Sequence, residues 1–411
     1  MSRRILFLIL IASIFVNFLA VFGPELGFDA LWYHMTIPKI YLMWGKIDFI
    51  PGGLMYYSAM PRLGEFLYLG AMRVMGAGEV GPHLINWVAG IGAAFLTFKI
   101  ARKHLDEKYS LLTSVIFYVT PLVGWQSGSA YVDLIRTFFE VLAFWFFLKK
   151  KPVAAGVALG LAVGTKTLAL GSLGIFGILG LVVWRDWRKT ARMILMAALV
   201  SYPWFAWAYL KTGFPFYPLG AGILDASHNF GNWGDLGNWK NMVSPVYLMI
   251  LPWFFKSRVP KEVFWYIMVS FFVWLLIPHT GEGRFILPYL PVWAVGAGWT
   301  ISHMQPMGFM KLMVGLTMVI AVAVVGYRFA ANLKVVPYLL GKQTKTEYLC
   351  QHLDFSTRVF VDCDGTWGER VKPTELVLVK GFHNLYYIKF PFVHETWYKG
   401  EKVDYVLEYK Q

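Results

Sequence analysis

The sequence predicts an all-α polytopic membrane protein with about eleven transmembrane helices. Hydrophobic residues make up 57% of its 411 positions and charged residues only 15%, with a mean hydropathy of +0.52. Apolar runs of about 20 residues recur along the chain, and a soluble domain of this size could not bury them. The net charge of +14 comes from basic residues clustered in short loops between these runs. Such loops set membrane topology, so we predict contact with membrane lipids and none with nucleic acid.

Each apolar run is assigned one helix. The first run follows Arg3 and Arg4, is too long for a signal peptide and lacks a small-residue cleavage site after it, so we predict a retained helix. The predicted spans are 4–23, 82–101, 109–126, 132–148, 152–165, 167–184, 193–211, 243–255, 262–278, 285–303 and 309–330.

Every second loop between these spans is basic. Because Lys and Arg stay on the cytoplasmic side, the alternation places the N-terminus and the basic loops in the cytoplasm, in a multi-pass protein of the cell's inner membrane. The extracytoplasmic parts are then the loops 24–81, 127–131, 212–242 and 279–284, the bend at 165–166 and the tail.

The chain divides into a transmembrane domain, residues 1–330, and a small external α/β domain, residues 331–411. Within the first domain, the external loop 24–81 has two amphipathic stretches, 29–44 and 62–75. Their apolar residues recur at helical spacing beside a polar stripe, which predicts helices lying along the membrane interface.

The tail has the composition of a soluble domain. The pattern predicts a capped helix at 344–353 and strands at 358–362, 375–379 and 403–408. Both cysteines, Cys350 and Cys363, lie here. An external compartment permits a disulfide between them, but the sequence leaves open whether it forms.

An acid follows the first predicted span directly. Asp29 at this membrane edge could act as a general base toward a substrate hydroxyl. It could equally cap the interfacial helix that starts there. Tyr33 and His34, about one helical turn further on, are candidate substrate-binding residues.

A second group of charges falls on the fourth predicted span. Asp133, Arg136 and Glu140 are spaced by three and four residues and so share one helix face. Arg136 and Glu140 fit an internal ion-pair ladder, whereas Asp133 at the outer mouth is the candidate for chemistry. Lys166 lies on the side where cations are disfavoured, so it either faces an anion or extends to the interface.

The outer turn 279–284 ends in a further cation. The forked guanidinium of Arg284 is suited to gripping a phosphate, and the alternative is contact with lipid headgroups. His279 and Glu282 of the same turn are candidate substrate-binding residues, although a short polar turn needs no special role.

Several of these residues lie in segments that resemble bacterial GT-C glycosyltransferases, the superfamily of the protein mannosyltransferases and the lipid A aminoarabinose transferase. The segment Phe28-Asp29-Ala30-Leu31-Trp32-Tyr33-His34, with Pro38 and Tyr41-Leu42, resembles their first external loop. Phe214 departs from the pattern, because such enzymes usually have Asn there. The other matching segments, in order, are Tyr131-Val132-Asp133, Gly164-Thr165-Lys166, Thr212-Gly213-Phe214-Pro215-Phe216-Tyr217-Pro218, Arg284-Phe285-Ile286-Leu287-Pro288 with Pro291, and residues 345–349.

The resemblance implies an inverting transfer of sugar from a polyprenyl phosphate to a lipid or glycan acceptor on the extracytoplasmic face. It assigns Asp29 and Asp133 as catalytic residues, and Lys166 and Arg284 as ligands of the donor phosphate. Protein mannosyltransferases have an Asp-Glu pair where Asp29 is followed by Ala30, so a protein acceptor is not supported. Members of the superfamily differ in their use of a divalent cation, so the sequence assigns no certain cofactor and leaves metal binding open.

Two other classes compete with an enzyme. A transporter or flippase of lipid-linked saccharides would also place charges at a membrane mouth, but such proteins often have an inverted repeat and charges near the midplane, and the sequence shows neither. The third class, a structural or sensory membrane protein, does not explain why the unusual polar residues cluster on the extracytoplasmic side. A lipid-phosphate donor needs no nucleotide site, and the sequence has no Gly-rich phosphate loop.

Overall fold

The computed structural model describes residues 3–218, 244–277 and 284–409. It confirms the predicted fold class, a helical membrane part with a small α/β tail. The helices are α1 (Arg3–Ala20), α2 (Thr36–Trp44), α3 (Leu63–Met75), α4 (Val80–Ala101), α5 (Glu107–Tyr118), α6 (Pro121–Gln126), α7 (Asp133–Leu148), α8 (Pro152–Thr165), α9 (Leu170–Leu179), α10 (Trp187–Thr212), α11 (Val246–Met249), α12 (Leu251–Phe254), α13 (Lys261–Leu276), α14 (Leu290–Ser302), α15 (Met307–Asn332), α16 (Val336–Leu339), α17 (Lys345–His352) and α18 (Thr366–Arg370). The strands are β1 (Val377–Lys380), β2 (Phe392–His394) and β3 (Tyr405–Glu408).

The described residues make a multi-pass membrane protein but do not confirm eleven spans. The predicted span 243–255 forms the two four-residue helices α11 and α12, and Pro252, which cannot donate a helical hydrogen bond, stands at the start of the second. The span 109–126 is likewise divided at Pro121 into α5 and α6. Within the described ranges, six helical stretches are long and apolar enough to cross a membrane, namely Arg3–Ala20, Val80–Ala101, Thr167–Trp184, Trp187–Thr212, Arg284–Ser302 and Met307–Leu339.

Helix α8 packs between α7 and α10 at close range because its face toward α10 is made of glycines. A Cβ at Gly156 would lie 2.3 Å from the carbonyl oxygen of Met193, and one at Gly160 would lie 2.7 Å from that of Ala197. Small residues spaced by four let membrane helices approach closely where no hydrophobic effect drives them together. This packing places the end of α8, and Lys166 after it, beside the start of α7.

The first external loop is more buried than the prediction of interfacial helices implies. The stretch 29–44 forms a π-helical turn, Ala30–His34, followed by α2, and 62–75 forms α3. One face of α2, including Ile37 and Ile40, packs into a core shared with the tail. The loop is therefore held between the membrane helices and the tail.

The tail contains a three-stranded parallel sheet with the order β2-β1-β3. The predicted helix is confirmed as α17, whose first turn is closed by reciprocal hydrogen bonds between Thr344 and Glu347. The predicted strand at 358–362 is wrong, because its backbone forms only a single bridge, Val359 to Asn384. Strand β2 was not predicted. Cys350 and Cys363 form a disulfide, which resolves the question that the sequence left open.

Candidate active site

Two acid–base pairs meet at the end of the bundle that carries the tail. Arg284, at the start of a 3₁₀ turn leading into α14, forms an ion pair with Asp29. Lys166, at the end of α8, donates to Asp133 Oδ1 at 2.6 Å. The structure therefore brings together the four residues predicted to act on the donor and acceptor.

The ring of Phe285 links the two pairs. The Lys166 Nζ lies 4.7 Å from its centroid, and the Arg284 guanidinium carbon lies 5.2 Å from it. Both cations therefore face one aromatic side chain, which stabilises positive charge through its electron-rich face. The Lys166 and Arg284 side chains are 14% and 12% exposed, whereas Asp133 is fully buried. An anion that reaches this end of the bundle would meet the two cations before Asp133.

Asp29 is held by side chains and does not cap its helix. Its carboxylate makes no capping hydrogen bond to the turn that follows, so the alternative role as a helix cap is wrong. Tyr33 donates its hydroxyl to Asp29 Oδ2 at 3.3 Å, and the Asp29 backbone N–H donates to the Tyr131 hydroxyl oxygen at 3.3 Å. Burial and the nearby Asp29 carboxylate raise the pKa of both phenols, so both hydroxyls stay protonated.

His34 has a partner that the sequence did not suggest. It is almost fully buried, and its Nδ1 lies 2.5 Å from Glu65 Oε1 on α3. Its Nε2 is buried without a hydrogen-bond partner among the described residues. The ring also packs on Tyr33, with centroids 4.1 Å apart. His34 thus lies behind the Tyr33–Asp29 contact, and its substrate-binding role stays a prediction.

The internal ladder on α7 is confirmed. Arg136 and Glu140 pair at 3.7 Å, and both are fully buried. Arg136 Nη2 donates to the Tyr289 hydroxyl at 3.1 Å, while Glu140 accepts from Ser172 and Tyr266 at 2.7 and 2.9 Å. These contacts join α7 to α9, to α13 and to the 3₁₀ turn before α14, and they fix the helix that carries Asp133.

Sequence reasoning missed three contributors to the site. Tyr131 lies within a segment that resembles the family, so that segment contained a signal for it. Gln126, which donates to Asp133 Oδ2 at 3.2 Å, and Glu65, the partner of His34, had no such signal, because only the packing of α6 and α3 brings them near. The predicted residues His279 and Glu282 lie outside the described residues.

The residues that the structure describes do not form a site for a divalent cation. Among the described ranges, no group of three or more His, Cys, Asp or Glu side chains is arranged around a common point. The two carboxylates that could contribute, Asp29 and Asp133, are each paired with a fixed cation. A bound metal would have to displace those side chains or add charge beside them.

The whole arrangement has the fold of two kinds of solved membrane protein. ArnT from Cupriavidus metallidurans bound to undecaprenyl phosphate is similar with a TM-score of 0.68 at 14% identity, over 96% of this chain and 86% of that one. The apo state of ArnT gives a TM-score of 0.71 at 12% identity, over 94% of this chain and 84% of that one. The Archaeoglobus fulgidus oligosaccharyltransferase in complex with Zn and sulfate gives 0.58 at 14% identity, over 93% of this chain and 60% of that one.

These likenesses confirm the GT-C fold that the sequence segments predicted. At identities of 12–14% they define the architecture and leave the activity to the site. Neither a family model nor a curated protein matches the sequence. The chain is a polytopic membrane protein with the architecture of ArnT.

Proposed function

We propose that this protein is a GT-C glycosyltransferase that transfers a sugar from a polyprenyl-phosphate carrier to a hydroxyl group of a lipid or glycan acceptor. The observation that carries the proposal is the pair of ion pairs, Asp29–Arg284 and Asp133–Lys166, at one end of the bundle. Two cations suit the phosphate of a lipid donor, and a carboxylate beside them suits proton removal from an acceptor.

In the proposed step, Arg284 and Lys166 bind the donor phosphate and neutralise the charge that develops on it. The acceptor oxygen attacks the anomeric carbon from the face opposite the phosphate, and its proton passes to Asp29. The bond from the anomeric carbon to the phosphate oxygen breaks, and polyprenyl phosphate leaves with the bonding electrons. A single displacement of this kind inverts the anomeric configuration, which NMR of the product would reveal.

Arg284 has two roles in this proposal. It pairs with Asp29 in the structure, and the donor phosphate would compete with Asp29 for the same guanidinium. Binding of the donor would then free a carboxylate oxygen for the acceptor hydroxyl. Asp133, fully buried and held by Lys166 and Gln126, would position Lys166 toward the phosphate.

The comparisons support a lipid-phosphate carrier. One ArnT structure of this fold is bound to undecaprenyl phosphate. The archaeal oligosaccharyltransferase AglB, which matches with a TM-score of 0.56 and 13% identity, is in complex with an inhibitory peptide and a dolichol-phosphate. Both ligands present a phosphate on a prenyl chain, which is the chemistry that Arg284 and Lys166 fit.

We further propose that the site and the tail lie on the extracytoplasmic face of the inner membrane, with residues 1–330 as the transmembrane domain and 331–411 as the external domain. The alternation of basic loops supports this orientation. A reporter fused after residue 411 should be active only outside the cytoplasm, and a cytoplasmic signal would contradict the topology.

The direct test is mass spectrometry of lipid extracts from cells with and without the gene. We expect a polyprenyl-phosphate sugar to accumulate and a glycosylated product to disappear when the gene is absent. A transporter or flippase would instead leave transfer intact in detergent extracts that contain both substrates. The same extracts assayed with EDTA test metal dependence, and we expect turnover to persist, because both carboxylates are already paired with cationic side chains.

A further inference from the structure

Glu65 on α3 is a buried acid that the proposed mechanism does not use. Its side chain is 6% exposed, and its Oε1 lies 2.5 Å from His34 Nδ1. Within the described ranges, Glu65 Oε2 and His34 Nε2 have no hydrogen-bond partner. Apolar residues of similar volume often replace a buried polar pair at no cost in stability, so a pair with two unsatisfied atoms is a poor stabiliser. Its presence therefore needs another explanation.

The partner of Glu65 belongs to the turn that carries the proposed base. His34 is the last residue of the π-helical turn that Asp29 precedes. Turns of this kind are frequent at functional sites. Within this turn, the Tyr33 hydroxyl reaches back and donates to Asp29 Oδ2 at 3.3 Å. The orientation of the His34 ring is thus coupled, through its neighbour Tyr33, to the Asp29 carboxylate.

The Tyr33 contact matters most once the donor is bound. Two side chains hold the Asp29 carboxylate among the described residues, and both Tyr33 and Arg284 bond to Oδ2. The donor phosphate is proposed to draw Arg284 away from Asp29. Tyr33 is then the side chain that still orients the carboxylate while the acceptor approaches.

Helix α3 is fixed to the other side of the base as well. Tyr68 lies three residues after Glu65 and so on the same side of α3. Its hydroxyl donates to the Tyr131 carbonyl oxygen at 3.0 Å and accepts from Asn86 Nδ2 at 2.6 Å. The Tyr131 hydroxyl in turn accepts from the Asp29 backbone. Glu65 and Tyr68 thus hold the two segments that meet at Asp29.

The start of α3 is held by an aromatic cage. Arg62, the residue before α3, is 2% exposed and donates to the Ser58 carbonyl oxygen. Its guanidinium carbon lies 5.9, 5.5 and 5.0 Å from the ring centroids of Tyr41, Phe66 and Trp207. These rings stabilise the cation and join the start of α3 to α2 and α10. Glu65 therefore stands on a helix that is fixed at its first turn.

We propose that Glu65 is a positioning residue for Asp29 and acts through His34 and Tyr33. Its carboxylate fixes the His34 ring, which keeps the π-helical turn closed and the Tyr33 hydroxyl on Asp29. This contact directs the carboxylate toward the acceptor hydroxyl after the donor has bound. A misplacement of about 1 Å can slow a reaction by roughly 10²-fold. The inference rests on the proposed function.

The test is a double-mutant cycle between Glu65→Met, which cannot accept a hydrogen bond, and Tyr33→Phe, which lacks only the hydroxyl. Product formation is measured by mass spectrometry in membranes from complemented cells. We expect each change to slow it by about tenfold or more, and the double variant to be no slower than the slower single variant, because both changes break one chain of contacts. Donor affinity, titrated with a short-chain polyprenyl phosphate in nanodiscs, should stay within about twofold of the wild type.

Two further variants separate position from charge and from folding. Glu65→Gln keeps an oxygen that accepts from His34 Nδ1, so it should recover most of the product formation. If Glu65→Met does not fold, the pair His34→Leu with Glu65→Met leaves no buried polar atom and should fold, but should form product as slowly. The matched control is Glu262→Met, at the His104–Glu262 pair of 3.3 Å beyond the other end of α4, which should keep normal product formation.

Hydrogen exchange supplies a readout that does not need activity. The amides of residues 29–35 should exchange faster in Glu65→Met than in the wild type and in Glu262→Met. Unchanged exchange, normal product formation in Glu65→Met, or losses that multiply in the double variant would each overturn the inference. If the wild type forms no product, the proposed function fails, and the exchange rates alone decide whether Glu65 holds the turn.

Discussion

Arg284 and Asp29, 255 positions apart in the sequence, form an ion pair beside the ring of Tyr131. The guanidinium carbon of Arg284 lies 4.9 Å from that ring, and the Tyr131 hydroxyl accepts from the backbone of Asp29. Arg284, the proposed phosphate ligand, and Asp29, the proposed base, are thus in direct contact. Because Arg284 is proposed to bind the donor and Asp29 to take the acceptor proton, changes at the two residues should still affect donor binding and turnover separately.

Arg284→Ala should weaken binding of a short-chain polyprenyl phosphate by about one to two decades, because it removes a charge-assisted contact of roughly 1.5–3 kcal/mol. Arg284→Lys should restore part of the affinity, since an ammonium keeps the positive charge but lacks the paired N–H donors of the guanidinium. The measurement is a titration of the purified protein in nanodiscs. Arg73→Ala, at an exposed position on α3, is the control and should bind normally. Equal affinities in all four proteins would show that Arg284 contacts lipid headgroups and does not bind the donor phosphate.

Asp29→Asn should bind the donor at least as tightly as the wild type, because Asp29 no longer competes with the phosphate for Arg284. It should slow product formation by roughly 10²- to 10⁴-fold, because an amide cannot take the acceptor proton. Product formation in membranes from complemented cells would be measured by mass spectrometry. Asp48→Asn, at a partly exposed acid of the same loop that pairs with Lys211, should retain full activity. Wild-type rates for Asp29→Asn would rule out this residue as the base.

Asp133→Ala should destabilise the fold by about 3 kcal/mol, because it leaves Lys166 largely buried without its anion. Adding Lys166→Met should recover part of that loss, since the second change removes the uncompensated charge. Thermal unfolding in detergent would give the comparison, with Asp48→Ala as the partly exposed control, expected to cost under about 1 kcal/mol. Losses that simply add in the double variant would show that the two residues do not interact.

The disulfide Cys350–Cys363 closes a loop over a sequence separation of 13. Replacing both cysteines with serine should cost about 3 kcal/mol of tail stability, as expected for a loop of that length. If the tail is external, an impermeant maleimide should label intact cells only after an impermeant reductant has been added. Labelling without reductant would show that the disulfide does not form in the cell.

Lys39 links α2 to the tail by donating to the carbonyl oxygens of Tyr386, at 2.6 Å, and Ile388. Burial, aided by the positive charge of Lys345, lowers the pKa of Lys39 to about 7. An unfolded lysine holds its proton to about pH 10.4, so between these values the unfolded state binds more protons. The contribution of Lys39 to stability should therefore be lowest below pH 7 and rise with pH above it.

The check is the melting temperature of the wild type and of Lys39→Gln from pH 6 to pH 9. We expect the free energy of unfolding of the wild type, relative to that of Lys39→Gln, to increase as pH rises, by at most roughly 1.4 kcal/mol per pH unit. The wild type should therefore gain melting temperature relative to the variant. Lys46→Gln, an exposed lysine of the same loop, should show no such trend. A constant difference would mean that Lys39 keeps its proton across this range.

How much of the site the sequence could predict depends on the range of each interaction. Asp29, Asp133, Lys166 and Arg284 each stood out because a charge at a membrane edge is costly and needs a local cause. Their pairing did not follow from position along the chain, because it depends on how α8 and the turn before α14 pack against the start of α7 and the first external loop. Glu65 could not be found at all, since only the folded loop brings it to His34.

The sequence by itself determined the membrane class, the segments that resemble the GT-C enzymes and the helix at the start of the tail. Each of these depends on local patterns, because lipid is the solvent for an apolar run and a capping box closes within one turn. Only the tertiary structure decided which runs are continuous helices, that 358–362 forms a bridge and β2 a strand, and that Arg284 reaches Asp29. These outcomes depend on partners distant in the chain, which packing selects and local pattern cannot.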